Sequence, residues 1–155
     1  MFKGNTFRGL AILASVILAP ALTFESARAV DNMETSGDVD LASVRAKIKA
    51  QDYKAALAEL RDLAEDTQNA DIYNLLGFTL RKTGDYATSL SYYTKALDLQ
   101  PDHKAAREYL GELYVETGHM DKAKEQLATL TKLCPAGCEE REDLERAIAN
   151  KQASN

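Results

Sequence analysis

Residues 70–103 read ADIYNLLGFTLRKTGDYATSLSYYTKALDLQPDH, and their pattern indicates the architecture of the chain. When it is shifted by 34 residues along the chain, it aligns with itself. The matched pairs are Leu76/Leu110, Gly77/Gly111, Leu80/Tyr114, Gly84/Gly118, Ala96/Leu130 and Pro101/Pro135. Self-similarity at a period of this size is typical of arrays of helical hairpins, in which each unit buries its apolar side against the next.

The apolar residues of this unit predict two helices joined by a tight turn. In Ile72–Lys82 and again in Tyr86–Leu97, apolar residues recur three and four positions apart, which places them on one helical face. Gly84 supplies the left-handed residue that commonly ends a helix, and Asp85 can cap the next helix. Gly77 lies mid-helix, where glycine costs about 1 kcal/mol relative to alanine. We therefore expect a neighbouring helix to pack against its bare backbone.

Several of these positions carry a family resemblance. They are Tyr73, Leu76, Gly77, Leu80, Ser89, Tyr93, Ala96 and Pro101 in one copy, and Arg107, Leu110, Gly111, Tyr114, Ala123, Leu127, Leu130 and Pro135 in the next. The pattern resembles the tetratricopeptide repeat (TPR), although Arg107 and Leu130 replace the usual aromatic residue and alanine. The resemblance implies an all-α solenoid of about three helical hairpins, in residues 39–69, 70–103 and 104–137.

The two ends of such an array differ from its middle, because their outer faces meet water. In the first hairpin, Ser43 and Lys47 stand where the middle copy has Leu76 and Leu80. Its second helix keeps the register, with Asp52/Asp85 and Tyr53/Tyr86 paired at an offset of 33. At the other end, residues 138–151 are predicted to form a polar capping helix, an expectation that comes from the resemblance.

The first 29 residues have the composition of a targeting segment. Lys3 and Arg8 precede a ten-residue apolar run, LAILASVILA, which is too short for a stable membrane span. Ala27-Arg28-Ala29 has the form of a cleavage site, so we predict a signal peptide cleaved after Ala29 and a periplasmic or secreted product. An uncleaved anchor is the alternative. Residues 30–38 are polar and acidic, and a flexible leader is predicted there.

The charge of the chain argues against some classes of partner. The whole sequence carries a net charge of −5, and loss of the +2 on residues 1–29 would leave −7 on the mature chain. With no basic stripe, the sequence predicts no nucleic-acid binding and no membrane contact after cleavage. We expect a protein or peptide partner, with weak self-association as a further possibility.

Catalytic motifs are missing from the sequence. It contains no G-x-x-x-x-G-K-[ST] loop, no H-E-x-x-H helix and no Ser-His-Asp arrangement. The sequence therefore predicts a protein that is not an enzyme, with no catalytic residue, no cofactor and no metal site.

Cys134 and Cys138 are the two cysteines of the chain, at C-x3-C spacing. In an exported protein they are expected to form a structural disulfide that clamps the turn before the capping helix. A redox-active pair and a pair of metal ligands are the alternatives.

By the resemblance, the first helix of each hairpin lines a concave groove. The predicted partner-binding residues are Asn74, Phe78, Arg81, Lys82, Glu108, Glu112 and Val115. Phe78 would anchor the partner, and charges of both signs would meet a mixed peptide; an ordinary solvated face is the alternative. The leading hypothesis is thus a non-catalytic protein-interaction module. Its alternatives are a thiol- or metal-handling accessory protein acting through the two cysteines, and a self-assembling scaffold.

Overall fold

The computed structural model describes residues 39–154, so the signal peptide and leader predicted for residues 1–38 lie outside the described residues. Within residues 39–154 the chain forms helices and no strand. The helices are α1 (Ala42–Lys49), α2 (Tyr53–Asp66), α3 (Ala70–Lys82), α4 (Tyr86–Leu99), α5 (Lys104–Glu116), α6 (Met120–Leu133) and α7 (Glu139–Ala153). None of them is long and apolar enough to cross a membrane.

The helices pack as successive hairpins. The pairs α1–α2, α3–α4 and α5–α6 each contact within themselves, α3 also packs on α2, and α5 also packs on α4. The last helix, α7, packs against both α5 and α6. The predicted all-α solenoid of hairpins with a terminal helix is therefore confirmed.

The turn inside each hairpin contains one residue in the left-handed backbone conformation. Gly84 and Gly118 have φ of +86° and +80°, the left-handed region that glycine adopts without strain. Asp85 then caps α4, its carboxylate accepting a hydrogen bond of 3.1 Å from the backbone N–H of Thr88. In the first hairpin the equivalent turn residue is Gln51, which adopts φ of +60° although it is not glycine.

The middle hairpin closes tightly over Gly77. A Cβ added there would lie 2.7 Å from the ring of Tyr93 on α4. The hydroxyl of Ser89, also on α4, donates a 2.7 Å hydrogen bond to the carbonyl of Gly77. The expected close approach at Gly77 is confirmed, and the approaching helix is the partner within the same hairpin.

The first hairpin departs from the others at α1, which is only eight residues long. Ser43 and Lys47 both bond to Glu59 on α2, the serine hydroxyl at 3.1 Å and the lysine as an ion pair. Within residues 39–154 no further hairpin covers this face, and polar residues stand there in place of the leucines of the middle copy.

Two groups of buried side chains form the core. The larger group joins the first two hairpins to α5, and the smaller one joins α5 and α6 to α7. Leu144 and Ile148 of α7 are fully or almost fully buried in the smaller group. They stand 34 residues after Leu110 and Tyr114, so α7 continues the register of the repeat. It extends to Ala153, two residues beyond the predicted end.

Candidate partner-binding face

The predicted binding residues of the middle hairpin lie on one stripe of α3. Asn74, Phe78 and Arg81 are spaced four and three residues apart, so they share a helical face. That face meets α5, where the ring of Phe78 lies 5.0 Å, centroid to centroid, from the ring of Tyr109. The stripe is therefore placed at the junction of the second and third hairpins.

Arg81 is engaged by this junction. Its side chain is 2 % exposed, and its guanidinium donates to Glu112 at 2.5 Å and to Glu116 at 2.6 Å. Burial alone would lower the pKa of Arg81, but Tyr93 and the two carboxylates raise it above its ordinary value. Because burial also raises the pKa of Tyr93, that phenol stays neutral and the carboxylates hold the charge. Arg81 thus fastens α3 to α5.

Glu108 brings a second buried acid to the same region. The residue is 5 % exposed, and burial, followed by the charges of Glu112, Asp143 and Glu140, raises its pKa to about 9. At neutral pH its carboxyl therefore holds a proton. Glu140 and Asp143 belong to α7, so carboxyl groups of α7 act electrostatically on Glu108 of α5.

Comparison with known proteins agrees with the arrangement of helical hairpins. Residues 80–135 match the tetratricopeptide repeat family. Residues 80–135 are therefore identified as tetratricopeptide repeat sequence. It is 35 % identical over 66 residues to the uncharacterized protein ycf37 of Guillardia theta, which covers 43 % of this chain and 37 % of that protein. It is also 34 % identical over 96 residues to protein FlbA of Caulobacter vibrioides, covering 61 % of this chain and 16 % of FlbA.

The predicted groove residues of these TPR hairpins differ widely in accessibility. Asn74, Phe78, Arg81 and Glu108 are buried. Val115 is 7 % exposed and lies in the core beneath α7, because that helix covers this part of α5. Of the predicted residues, Lys82 and Glu112 are accessible. Together with Glu116, the second carboxylate bound to Arg81, they form a surface that we call the α3–α5 face.

Asn74 stands out among the buried residues of the TPR array. It is fully buried, and neither atom of its side-chain amide has a hydrogen-bond partner among residues 39–154. An unsatisfied buried amide costs free energy, and most buried polar groups in proteins are satisfied. Packing within the described part of the chain therefore gives no reason for an asparagine at this position.

Sequence reasoning missed a buried polar contact between the second and third TPR hairpins. His103, 3 % exposed, caps α5 by accepting from the N–H of Ala106 at 3.2 Å through Nδ1. Its other ring nitrogen, Nε2, lies 3.0 Å from Oδ1 of the buried Asp71 on α3. Because Nδ1 accepts, Nε2 carries the proton that bonds to Asp71. A histidine directly before a predicted helix was the available signal.

The two cysteines are joined to each other in the structure. Cys134 ends α6 and Cys138 immediately precedes α7, and their Cα atoms lie 5.9 Å apart across a disulfide. Gly137 has φ of +107°, and Arg141 donates to the carbonyl of Cys134 at 3.3 Å. The bond therefore links the last TPR hairpin to α7. No cluster of three or more potential metal ligands occurs in residues 39–154.

Proposed function

We propose that this protein is a non-catalytic TPR scaffold whose α3–α5 face binds an extended peptide or a helix of a partner protein. TPR arrays generally bind protein partners, and this chain has the repeat. The observation that carries the proposal is the arrangement around Arg81. Its ion pairs fix Glu112 and Glu116 in place, while their side chains stay 25 % and 39 % exposed.

The chemistry of the face favours a partner with charges of both signs. Lys82 presents a cation whose Nζ lies 5.3 Å from the centroid of the Phe78 ring, next to the two carboxylates. Pre-ordered charges lose little conformational entropy on binding, so they contribute more to affinity than mobile ones. Phe78 itself supports the face from below, since it is almost fully buried.

The test uses exposed residues, because substitution of Arg81 would leave two carboxylates unpaired and disturb the fold. The mature chain serves as bait in periplasmic extract, and captured proteins are identified by mass spectrometry. We expect Lys82→Glu with Glu116→Gln to lose partners that the native chain captures. A matched control, Lys54→Glu with Glu65→Gln at exposed positions of α2, should retain them. Equal capture by both variants would show that the partner binds elsewhere.

We also propose that the chain is exported and cleaved after Ala29. The disulfide between Cys134 and Cys138 supports export, because such bonds persist in oxidising compartments. Cell fractionation and N-terminal sequencing of the product test this, with Val30 expected as the first residue. A cytoplasmic product that retains Met1 would contradict it.

A further inference from the structure

A second surface of the molecule lies between hairpins at their turns. An open cavity of about 250 Å³ is bounded by the start of α4, the end of α5 and the start of α6. We call it the turn cleft, and its main lining residues are Tyr86, Leu90, Leu113, Tyr114, His119 and Lys122. Tyr86 is 41 % exposed, which is unusual for so large a side chain in this protein. None of the lining residues belongs to the α3–α5 face.

His119 does not cap the helix that follows it, unlike the residues at the same position of the first two hairpins. Asp52 and Asp85 stand at the same position of the earlier hairpins, and each caps the following helix through its carboxylate. His119 makes no side-chain cap on α6. Its Nδ1 lies 3.0 Å from the hydroxyl of Thr117, and its ring meets Tyr114 edge-on at 6.2 Å. A missing side-chain cap costs about 1 kcal/mol.

Lys122 places a positive charge at the same edge of the cleft. Its Nζ lies 5.4 Å from the centroid of the Tyr114 ring. Within residues 39–154 no carboxylate is recorded in an ion pair with it. At the equivalent position of the middle hairpin stands Thr88, beside the capping Asp85. The cation is therefore a property of the turn cleft alone and not of the repeat.

The acidic residues near the cleft do not line it. Asp121 and Glu125 are exposed on α6, and neither lines the turn cleft, although Asp121 lines an adjoining open cavity together with His119 and Lys122. The floor is aromatic and aliphatic, and the edge carries an imidazole and an ammonium group. A complementary ligand combines an apolar group with a carboxylate.

We propose that the turn cleft binds a segment of a partner protein in which an aromatic side chain is followed by an aspartate or glutamate. The aromatic ring would contact Tyr86, Leu90 and Leu113. The adjacent carboxylate would pair with Lys122. Because the Thr117 hydroxyl donates to the carbonyl of Leu113 at 2.7 Å, Nδ1 of His119 donates to Thr117, and Nε2 would donate to the carboxylate when the ring is protonated. This inference does not depend on the α3–α5 face, because it uses other residues on other helices.

The test uses the isotope-labelled mature chain and short acetylated, amidated peptides. The probe is Gly-Ser-Phe-Asp-Ser-Gly, and Phe-Asn, Phe-Lys and Ser-Asp versions serve as comparison peptides. We expect saturable chemical-shift changes at Tyr86, Tyr114 and Lys122 with the Phe-Asp peptide and weaker binding of the other three. No saturation with the Phe-Asp peptide, or equal binding of the Phe-Lys peptide, would overturn the proposal.

Two substitutions separate binding from folding. Lys122→Glu should raise the dissociation constant of the Phe-Asp peptide by about fivefold or more, whereas Lys132→Glu on the same helix should leave it unchanged. His119→Asp gives α6 the aspartate cap that α2 and α4 have, so it should stabilise the fold. The same substitution should still lower the affinity for the peptide. Unchanged affinity in both cleft variants would overturn the proposal. Variants of the α3–α5 face should bind the Phe-Asp peptide normally, so the two proposals fail independently.

Discussion

Gly77 and Gly111 hold the same position in successive repeats, yet different helices cover them. A Cβ on Gly77 would meet the ring of Tyr93 at 2.7 Å, whereas one on Gly111 would meet the side chain of Leu144 at 2.5 Å. Tyr93 belongs to the same hairpin and Leu144 to α7. In the third hairpin Leu127 replaces the tyrosine, and it is only partly buried.

We expect Gly77→Ala to destabilise the protein more than Gly111→Ala. The new methyl group would strike a fully buried aromatic ring in the first case and a flexible leucine side chain in the second. Overpacking costs about 1 to 3 kcal/mol, against a gain of about 1 kcal/mol from helix propensity. Urea unfolding followed by circular dichroism measures both free energies of unfolding. The reverse order would contradict the packing described for α4.

Gln51 occupies a backbone conformation that suits glycine, and the other two hairpins have glycine there. A left-handed residue with a side chain costs about 1 to 2 kcal/mol. Gln51→Gly should therefore raise the free energy of unfolding by about 0.5 to 1 kcal/mol, once the larger entropy of the unfolded chain is subtracted. Gln51→Ala serves as the control and should give no such gain. A destabilised Gln51→Gly variant would contradict this account.

Glu108 makes stability depend on pH. An unfolded chain releases this proton near pH 4.5, whereas the folded chain holds it until about pH 9. The folded state therefore binds an extra proton between these values. Its contribution to stability is fully present below pH 4.5 and is lost as the pH rises through 9.

Glu108→Gln removes this dependence, because glutamine stays neutral. We expect the variant to match the native chain at pH 4 and to exceed its free energy of unfolding by about 3 to 5 kcal/mol at pH 8. Urea titrations at pH 4, 6 and 8 give the comparison. The difference between the free energies of unfolding of the two chains isolates the effect of Glu108 from that of the other titrating groups. An identical pH dependence in both chains would contradict the raised pKa of Glu108.

The residues of the site were predictable in type and position but not in their partners. The 34-residue register placed Arg81 and Glu112 on neighbouring first helices. It could not show that their side chains would meet, since that depends on the distance and rotation between α3 and α5. The pairing of Asp71 with His103 was hidden for the same reason.

At the scale of the helix, the boundaries followed from local chemistry. Turn glycines and the capping Asp85 act on residues next to them, so the sequence predicted them correctly. The position of α7 was less accessible to this reasoning, because its burial depends on Leu144 fitting over Gly111. That contact joins residues 33 positions apart.

The disulfide is expected to hold the start of α7 in place. Closing so short a loop contributes about 2 kcal/mol in the loop-entropy estimate. The double variant Cys134→Ser, Cys138→Ser should unfold at a lower urea concentration, and amides in the first turns of α7 should exchange faster. Amides of α3 and α4 provide the internal control. Unchanged exchange in α7 would show that Leu144 and Ile148 hold the helix without the bond.

At the scale of the whole molecule, the two core groups make stability uneven. Tyr114 packs against both groups, whereas Val115, Ala123 and Leu130 depend on α7 for their cover. Repeat arrays are stabilised mainly by contacts between neighbours. The third hairpin therefore needs α7 more than the first two hairpins do.

Deletion of residues 139–155 tests this dependence. We expect amides of α5 and α6 to exchange about tenfold faster or more relative to those of α3 and α4, because local opening follows local packing. Hydrogen exchange with mass spectrometry reads each helix separately. A uniform change across the array would mean that all three hairpins unfold together.

The register of α7 also bears on how such a protein can change in length. Leu76, Leu110 and Leu144 are equally spaced, so α7 corresponds to the first helix of a further repeat unit. Duplication of one 34-residue segment ahead of α7 would add a hairpin to the array. The added hairpin would present the same surface to α7, so the packing of α7 would not have to change.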